Sequence, residues 1–290
     1  MKDVTARTER LARLRSVLIC PTCGGGLDFG PSEIRCTGCN AAFPVRDGRI
    51  YFIDVERSRG DSLYAVKARL SGMLGKLYPL LTTILGPVLL PNYGALIRRH
   101  FDPSKQIVVE LGSSERRSDP DVICVDIIDY DAVDIVCDIH SLPFKSGSID
   151  GLTSWNVIEH LARPTMAIAE IIRCLAPGGI TMHEIPFMVP FHDAPQDYQR
   201  FTHQGARMLM QPLETIEQKN LSGPASLISQ VVVEVLATVL SFGLPRPRAY
   251  LYLVLAAVIS PVKFLDLAFV GRDSFIGLAP TILTVARKAD

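Results

Sequence analysis

Between Gln106 and Leu161 four short apolar runs follow one another: Ile107–Leu111, Val122–Val125, Val133–Cys137 and Leu152–Trp155. Runs this short, without polar alternation, read as strands buried on both faces, as in a parallel sheet covered by helices. Three of them carry or lead into a carboxylate: Glu110, Asp126 and Asp138. In open parallel sheets the ligand sits beyond the carboxyl ends of the strands. Acidic groups placed there suit the hydroxyls and amine of a nucleoside.

The segments VVELGSSE, VICVDI, DIHSLPFKSGSID, NVIEHL, CLAPGG and HDAPQDYQRFT occur in that order. As a set they resemble a class I S-adenosylmethionine-dependent methyltransferase of the small-molecule type 11 branch. The resemblance runs from about Gln106 to Asn220, with a final strand near the C-terminus. It implies a doubly wound α/β fold, with a seven-stranded, mostly parallel, Rossmann-like sheet. It also implies cofactor-binding roles for Glu110, Gly112, Ser114, Asp126, Ile127, Asp138, Ile139 and Trp155. The family usually has Gly-x-Gly after strand one, because backbone must approach the cofactor closely. Here Gly112 is kept and Ser114 stands in the second place. The link Glu115–Asp121 is short for a full crossover helix. Asp126 matches the acceptor of both ribose hydroxyls, and Asp138, beside Ile139, the contact to the adenine amine and ring. Trp155 falls near the transferable methyl. Glu159-His160 follows, where His160 either acts on the acceptor or fixes the loop.

Cys20-Pro-Thr-Cys23 and Cys36-Thr-Gly-Cys39 are two knuckles separated by twelve residues. Such pairs place four thiolates around one zinc ion. Four protein ligands leave no open position, so this zinc is structural. Cys124, Cys137 and Cys174 lie in apolar patterns and read as buried thiols, in keeping with a reducing, cytoplasmic setting. No secretory pattern stands in residues 1–16. The unit resembles zinc-ribbon lobes of tRNA- and rRNA-methyltransferase systems. Such lobes also occur fused to small-molecule enzymes, so it does not choose the substrate.

The reading divides the chain into a zinc-ribbon lobe (1–57), a helical linker and cover (58–103) and the methyltransferase domain (104–290). Asp54–Ser62 reads as linker. Leu63–Phe101 carries leucines at helical spacing, broken by Pro79, Gly86-Pro87 and Pro91. Residues 192–202 form a loop at the ligand end of strand five. His192 there is a candidate base, and Tyr198 and Arg200 candidates to orient the acceptor. The alternative is a surface loop pinned by Asp197 and Arg200. Gly223–Arg272 is an apolar helical insert between the last two strands. Its longest charge-free run, Ala249–Val262, spans only about 21 Å as helix, against about 30 Å for a bilayer core. It reads as core, lid or interfacial helix rather than as a transmembrane span.

The formal net charge of +0 and a pI near 7.0 argue against a nucleic-acid acceptor. Hydrophobic content of 48% and a mean hydropathy of +0.24 are high, and the excess lies in the two helical segments. They point to a small, apolar or lipid-like acceptor and to peripheral contact with the inner membrane face. Arg246, Arg248, Lys263 and Arg272 are candidates to meet anionic headgroups. A base methyltransferase for rRNA or tRNA and a non-catalytic protein of the same fold are the alternatives. A nicotinamide dehydrogenase would need Gly-x-Gly-x-x-Gly where the chain has GSSERR.

Overall fold

The computed structural model describes residues 2–55, 66, 69–70, 72–75, 77–192 and 196–290. The linker expected at Asp54–Ser62 lies, from residue 56 onward, outside the described residues, as do parts of the helical pattern beginning at Leu63.

The four apolar runs become β5 (Val108–Leu111), β6 (Ile123–Asp126), β7 (Ile135–Val136) and β8 (Ile149–Trp155). All four residues of β5 are buried, as a central strand covered on both faces requires. β8 is followed by α4 (Pro164–Cys174) and β9 (Leu175–Pro186), then α5 (His203–Leu209), β10 (Glu214–Asn220) and β11 (Thr281–Arg287). Thr202 caps α5, its side chain accepting from Gly205 N. The strand order is β7-β6-β5-β8-β9-β11-β10, parallel as far as β9, with β11 antiparallel to both neighbours. The carboxyl ends of β5, β6 and β8 therefore open on one edge.

The lobe does not stand apart from this sheet. Its strands β1 (Leu27–Phe29), β2 (Glu33–Cys36), β3 (Ala42–Arg46) and β4 (Arg49–Tyr51) extend it to eleven, because β4 pairs in parallel with β7. Asp47 and Gly48, both at positive φ, make the two-residue turn between β3 and β4. Arg49 then donates to the carbonyls of Val133, Asp129 and Tyr130, sealing the seam. The N-terminal helix α1 (Lys2–Ala12), with the turn after it, covers the chain that enters β5, β6 and β7. Arg10 pairs with buried Asp134 at 2.9 Å, and Arg13 donates to the carbonyls of Pro103 and Gln106. No crossover helix forms between β5 and β6. Arg117 fills that gap, donating to Ala132 O and pairing with Asp134 at 2.9 Å.

Two helices precede β5: α2 (Leu77–Leu85) and α3 (Tyr93–His100). Pro79 was expected to break this segment; it sits instead in the first turn of α2, where its missing N–H costs nothing. The insert forms α6 (Pro224–Leu240) and α7 (Pro245–Ile259), the latter continued by a 3-10 turn, Ser260–Ala268. Asp266 returns to cap α6, accepting from Gly223, Ala225 and Ser226 N at 2.8–2.9 Å. The helical run Pro245–Ala268 is 24 residues, longer than the charge-free stretch alone. By length and composition alone that run is long and apolar enough to cross a membrane, although its last nine residues are 3-10 helix and bury Lys263 and Asp266. Lys263, offered above for headgroups, is buried instead, its Nζ donating to Thr83, Ile84 and Gly86 carbonyls at 2.6–2.8 Å. Arg248 is ion-paired with Glu234.

Side chains on this hairpin run inside out for a water-facing pair. α6 buries Ala225, Ser226, Ser229 and Ala237 among others, and α7 buries Ala249 and Ala256. Ile228, Val235, Val239, Leu240, Val254 and Val258 face outward and are exposed. Leu227 and Val233 of α6 are also buried, but the inward positions are otherwise small and the outward ones large and apolar, as where helices pack through small residues and face an apolar medium.

Candidate active site

Two cavities meet at the carboxyl edge of the sheet. The smaller, about 280 Å³, lies over the ends of β5, β6 and β8. Gly112 forms its floor at φ +65°, and a Cβ there would stand 2.4 Å from Val157 Cγ2. Only glycine fits. Ser114 also adopts positive φ (+53°), which explains why glycine is usual at this place. Its N–H donates to Asp126 Oδ2 at 3.0 Å, while Oδ1 accepts from Ile128 N at 3.1 Å. Burial raises the Asp126 carboxyl above the ordinary range. Ile127, Tyr130, Cys137 and Ile139 supply apolar walls, and Trp155 and Asn156 the far side.

Two expected cofactor contacts lie outside this lining. Glu110 is buried behind the loop, and its oxygens accept from Ser118 N (3.0 Å) and Oγ (2.6 Å). It holds the loop rather than facing the cavity. The Asp138 side chain is half exposed, and its Oδ1 accepts from His140 N. Neither displacement shows in a strand pattern, because both depend on which way a loop turns.

The larger cavity, about 740 Å³, lies between the sheet edge and the two helical segments. Val88, Leu90, Pro186, Val189 and Phe191 make it apolar, and Asn156 is shared with the smaller cavity. On its floor Glu184 accepts from Tyr93 Oη (2.6 Å), Thr281 Oγ1 (2.6 Å) and Asn156 Nδ2 (3.3 Å). Glu184 and Tyr93 were not singled out in the sequence. Each looks like an ordinary residue of a strand or helix until the two meet.

His160 lines the smaller cavity and His192 the larger. Their rings stand edge to face, 5.1 Å between centroids. Burial raises the carboxyl of Glu159, between them, to about 8 and lowers the imidazole of His192. Tyr198 and Arg200 line neither cavity. Arg200 binds Asp197 and the carbonyls of Val189 and Pro190, so it pins the loop instead of orienting an acceptor. Tyr198 is exposed, its N–H donating to Glu159 O. Residues 193–195 of this loop lie outside the described residues.

In the N-terminal lobe the Sγ atoms of Cys20, Cys23, Cys36 and Cys39 all lie within 4.8 Å of one another. Tetrahedral thiolates about 2.3 Å from zinc stand about 3.8 Å apart. Cys20–Cys39 is 3.8 Å and Cys23–Cys36 is 3.4 Å. Gly38 and Cys39 N–H groups point at Cys36 Sγ at 3.3–3.4 Å, as donors to a thiolate do. The donor set fits a structural zinc.

The sheet is doubly wound, with strand order 3-2-1-4-5-7-6, and its first two strands end on a glycine turn and an acidic residue, as in nucleotide-binding domains. Residues 101–182 match the family described as "Methyltransferase domain". At the N-terminus the UPF0434 protein of Bordetella pertussis is 40% identical over 47 residues, which is 16% of this chain and 76% of that protein. A 37.1 kDa protein of transposon TN4556 from Streptomyces fradiae is 50% identical over 42 residues, 14% of this chain and 12% of its own length. Among solved structures, phosphoethanolamine N-methyltransferase 2 of Haemonchus contortus, bound to phosphomonomethylethanolamine and S-adenosylhomocysteine, aligns with a TM-score of 0.46 at 15% identity. That alignment covers 78% of this chain and 58% of the other. The chain thus spans little of the transposon protein and under two thirds of the Haemonchus enzyme. Residues 101–182 of the chain carry a methyltransferase domain, and its N-terminal lobe belongs to the UPF0434 family.

Proposed function

We propose that the chain transfers a methyl group from S-adenosylmethionine to a small, apolar or lipid-like acceptor held in the larger cavity. The observation that carries this reading is the meeting of the two cavities at Asn156, one lined for a nucleoside and one for an apolar body. The cofactor, when bound, supplies an activated methyl on a sulfonium centre. The chain's own task is alignment and exclusion of water. Gly112 and Ser114 let backbone approach; Asp126 accepts from the ribose hydroxyls; Ile127, Ile139 and Tyr130 enclose the base. The Glu184 cluster and His192 face the acceptor's polar end.

A membrane supplies the source of such an acceptor. The outward face of α6 and α7 rests on the bilayer in this reading, with exposed Arg246 and Arg272 toward anionic headgroups. With methyl-labelled cofactor and separate lipid, aqueous and RNA fractions, label is expected in the lipid fraction only. Label in RNA would favour the base-methyltransferase alternative and overturn the acceptor assignment.

Two substitutions separate the cavities. Asp126→Ala is expected to weaken S-adenosylhomocysteine about 10- to 100-fold, the loss of one charged hydrogen-bonding group. Unchanged affinity would place the ribose elsewhere. His192→Ala is expected to lower turnover much more than cofactor affinity. Lost affinity with normal turnover at saturation would remove His192 from the acceptor side.

A further inference from the structure

Glu159 is fully buried, and neither carboxylate oxygen has a hydrogen-bond partner. A buried carboxylate without a partner is costly, and a cation beside it removes that cost. The nearest side chains are two imidazoles, and both present Nε2 to the same oxygen. His160 Nε2 stands 3.6 Å and His192 Nε2 3.8 Å from Glu159 Oε1. These separations are too long for hydrogen bonds. They come within a few tenths of an ångström of the about 3.0–3.4 Å between two ligands each about 2.1 Å from one ion.

The other ring nitrogens are already engaged. His160 Nδ1 donates to the carbonyl of Gln196, which leaves a lone pair on Nε2. His192 Nδ1 lies 3.4 Å from both Asp197 Oδ2 and Arg200 Nη2, and Asp197 is itself fixed by Arg200 and by His192 N at 2.9 Å; in the tautomer that donates from Nδ1 to this carboxylate, Nε2 keeps its lone pair. Metal-binding histidines are oriented in this way by a carbonyl or carboxylate on the far nitrogen. All three ligand atoms lie within 4.8 Å of one another, and the histidines line the two cavities from either side.

We infer that Glu159, His160 and His192 form a second metal site, for a divalent first-row transition ion, at the junction of the two cavities. Two imidazoles and one carboxylate leave coordination positions open, unlike the closed four-thiolate site. An oxygen of the acceptor takes one of them. The ion would lower that oxygen's pKa so that its proton leaves to water, and would hold the anion toward the methyl group; the C–O bond forms as the sulfonium C–S bond breaks and S-adenosylhomocysteine leaves, with His192 a ligand rather than a base. Metal binding stands on the geometry alone; this role rests on the methyl-transfer reading above.

The test titrates Co2+ into full-length protein already loaded with zinc at the four cysteines, followed by absorbance. One added equivalent is expected, with d–d bands and no thiolate charge-transfer band. Outer-shell changes cost about 10- to 100-fold in metal affinity. Loss of a ligand in Glu159→Gln or His192→Ala is expected to cost at least about 100-fold. Absence of a second equivalent in the wild type overturns the site, as does unchanged affinity in both folded variants. S-adenosylhomocysteine titrated into the same samples reports the cofactor reading independently. Its binding without Co2+ binding defeats only the metal site, and Co2+ binding without it defeats only the proposed role.

Discussion

Cys36→Ser, or removal of zinc by a chelator, is expected to unfold the N-terminal lobe and to weaken S-adenosylhomocysteine binding with it. The lobe's strands are three to five residues long, and its buried apolar side chains are few: Ile34, Phe43 and Ile50 among them. So small a core leaves much of the folding free energy to the metal, and structural zinc in comparable units binds with about 10–16 kcal/mol. Its sequence alone describes a module that could melt by itself. The sheet makes that impossible without consequence. β4 pairs with β7, Ile19 N donates to Pro143 O, and Ser141 Oγ donates to Pro21 O. Unfolding the lobe therefore frees the edge that carries Cys137 and Ile139, two walls of the cofactor cavity. Elemental analysis should give one zinc per chain before treatment, and calorimetry a lower affinity after it. Full affinity in metal-free Cys36→Ser protein would mean that the two parts are independent.

Asp134→Ala is expected to lower stability by about 3–5 kcal/mol, the cost of breaking a buried ionic cluster by removing one partner. Asp134 is fully buried, and it pairs with Arg10 from α1 and Arg117 from the short β5–β6 link, each at 2.9 Å, and with Arg7 from α1 at 3.5 Å. It also accepts from Cys124 N at 2.9 Å. One carboxylate thus ties the N-terminal helix, the link and two strands. Its loss leaves three guanidinium groups without this counter-charge and a strand N–H without its acceptor. Denaturant unfolding monitored by circular dichroism measures the effect. A loss below about 1 kcal/mol would show that the arginines find other acceptors.

The strands were readable because each is short, apolar and bounded by turn residues, and the cysteine knuckles because their spacing has one chemical use. Gly112 and Asp126 line the smaller cavity because backbone geometry at a strand end decides their place. Glu110, Asp138, Tyr198 and Arg200 line neither cavity, since loop paths that no periodicity encodes decide where they point. Asp47-Gly48 was present as a hairpin signal, but not its consequence, a lobe strand added to the main sheet. Lys263 has the composition of a surface residue; only three converging carbonyls on another segment explain its burial. The Glu184–Tyr93–Thr281 cluster joins residues from three distant parts of the chain, and no local pattern announces it.

The central claim is that the smaller cavity holds S-adenosylmethionine. Calorimetric titration of the full chain with S-adenosylhomocysteine, with NAD run in parallel, tests it most directly. One equivalent of S-adenosylhomocysteine is expected to bind, with no heat from NAD. No binding of S-adenosylhomocysteine by folded, zinc-replete protein, or preferential binding of NAD, would contradict it.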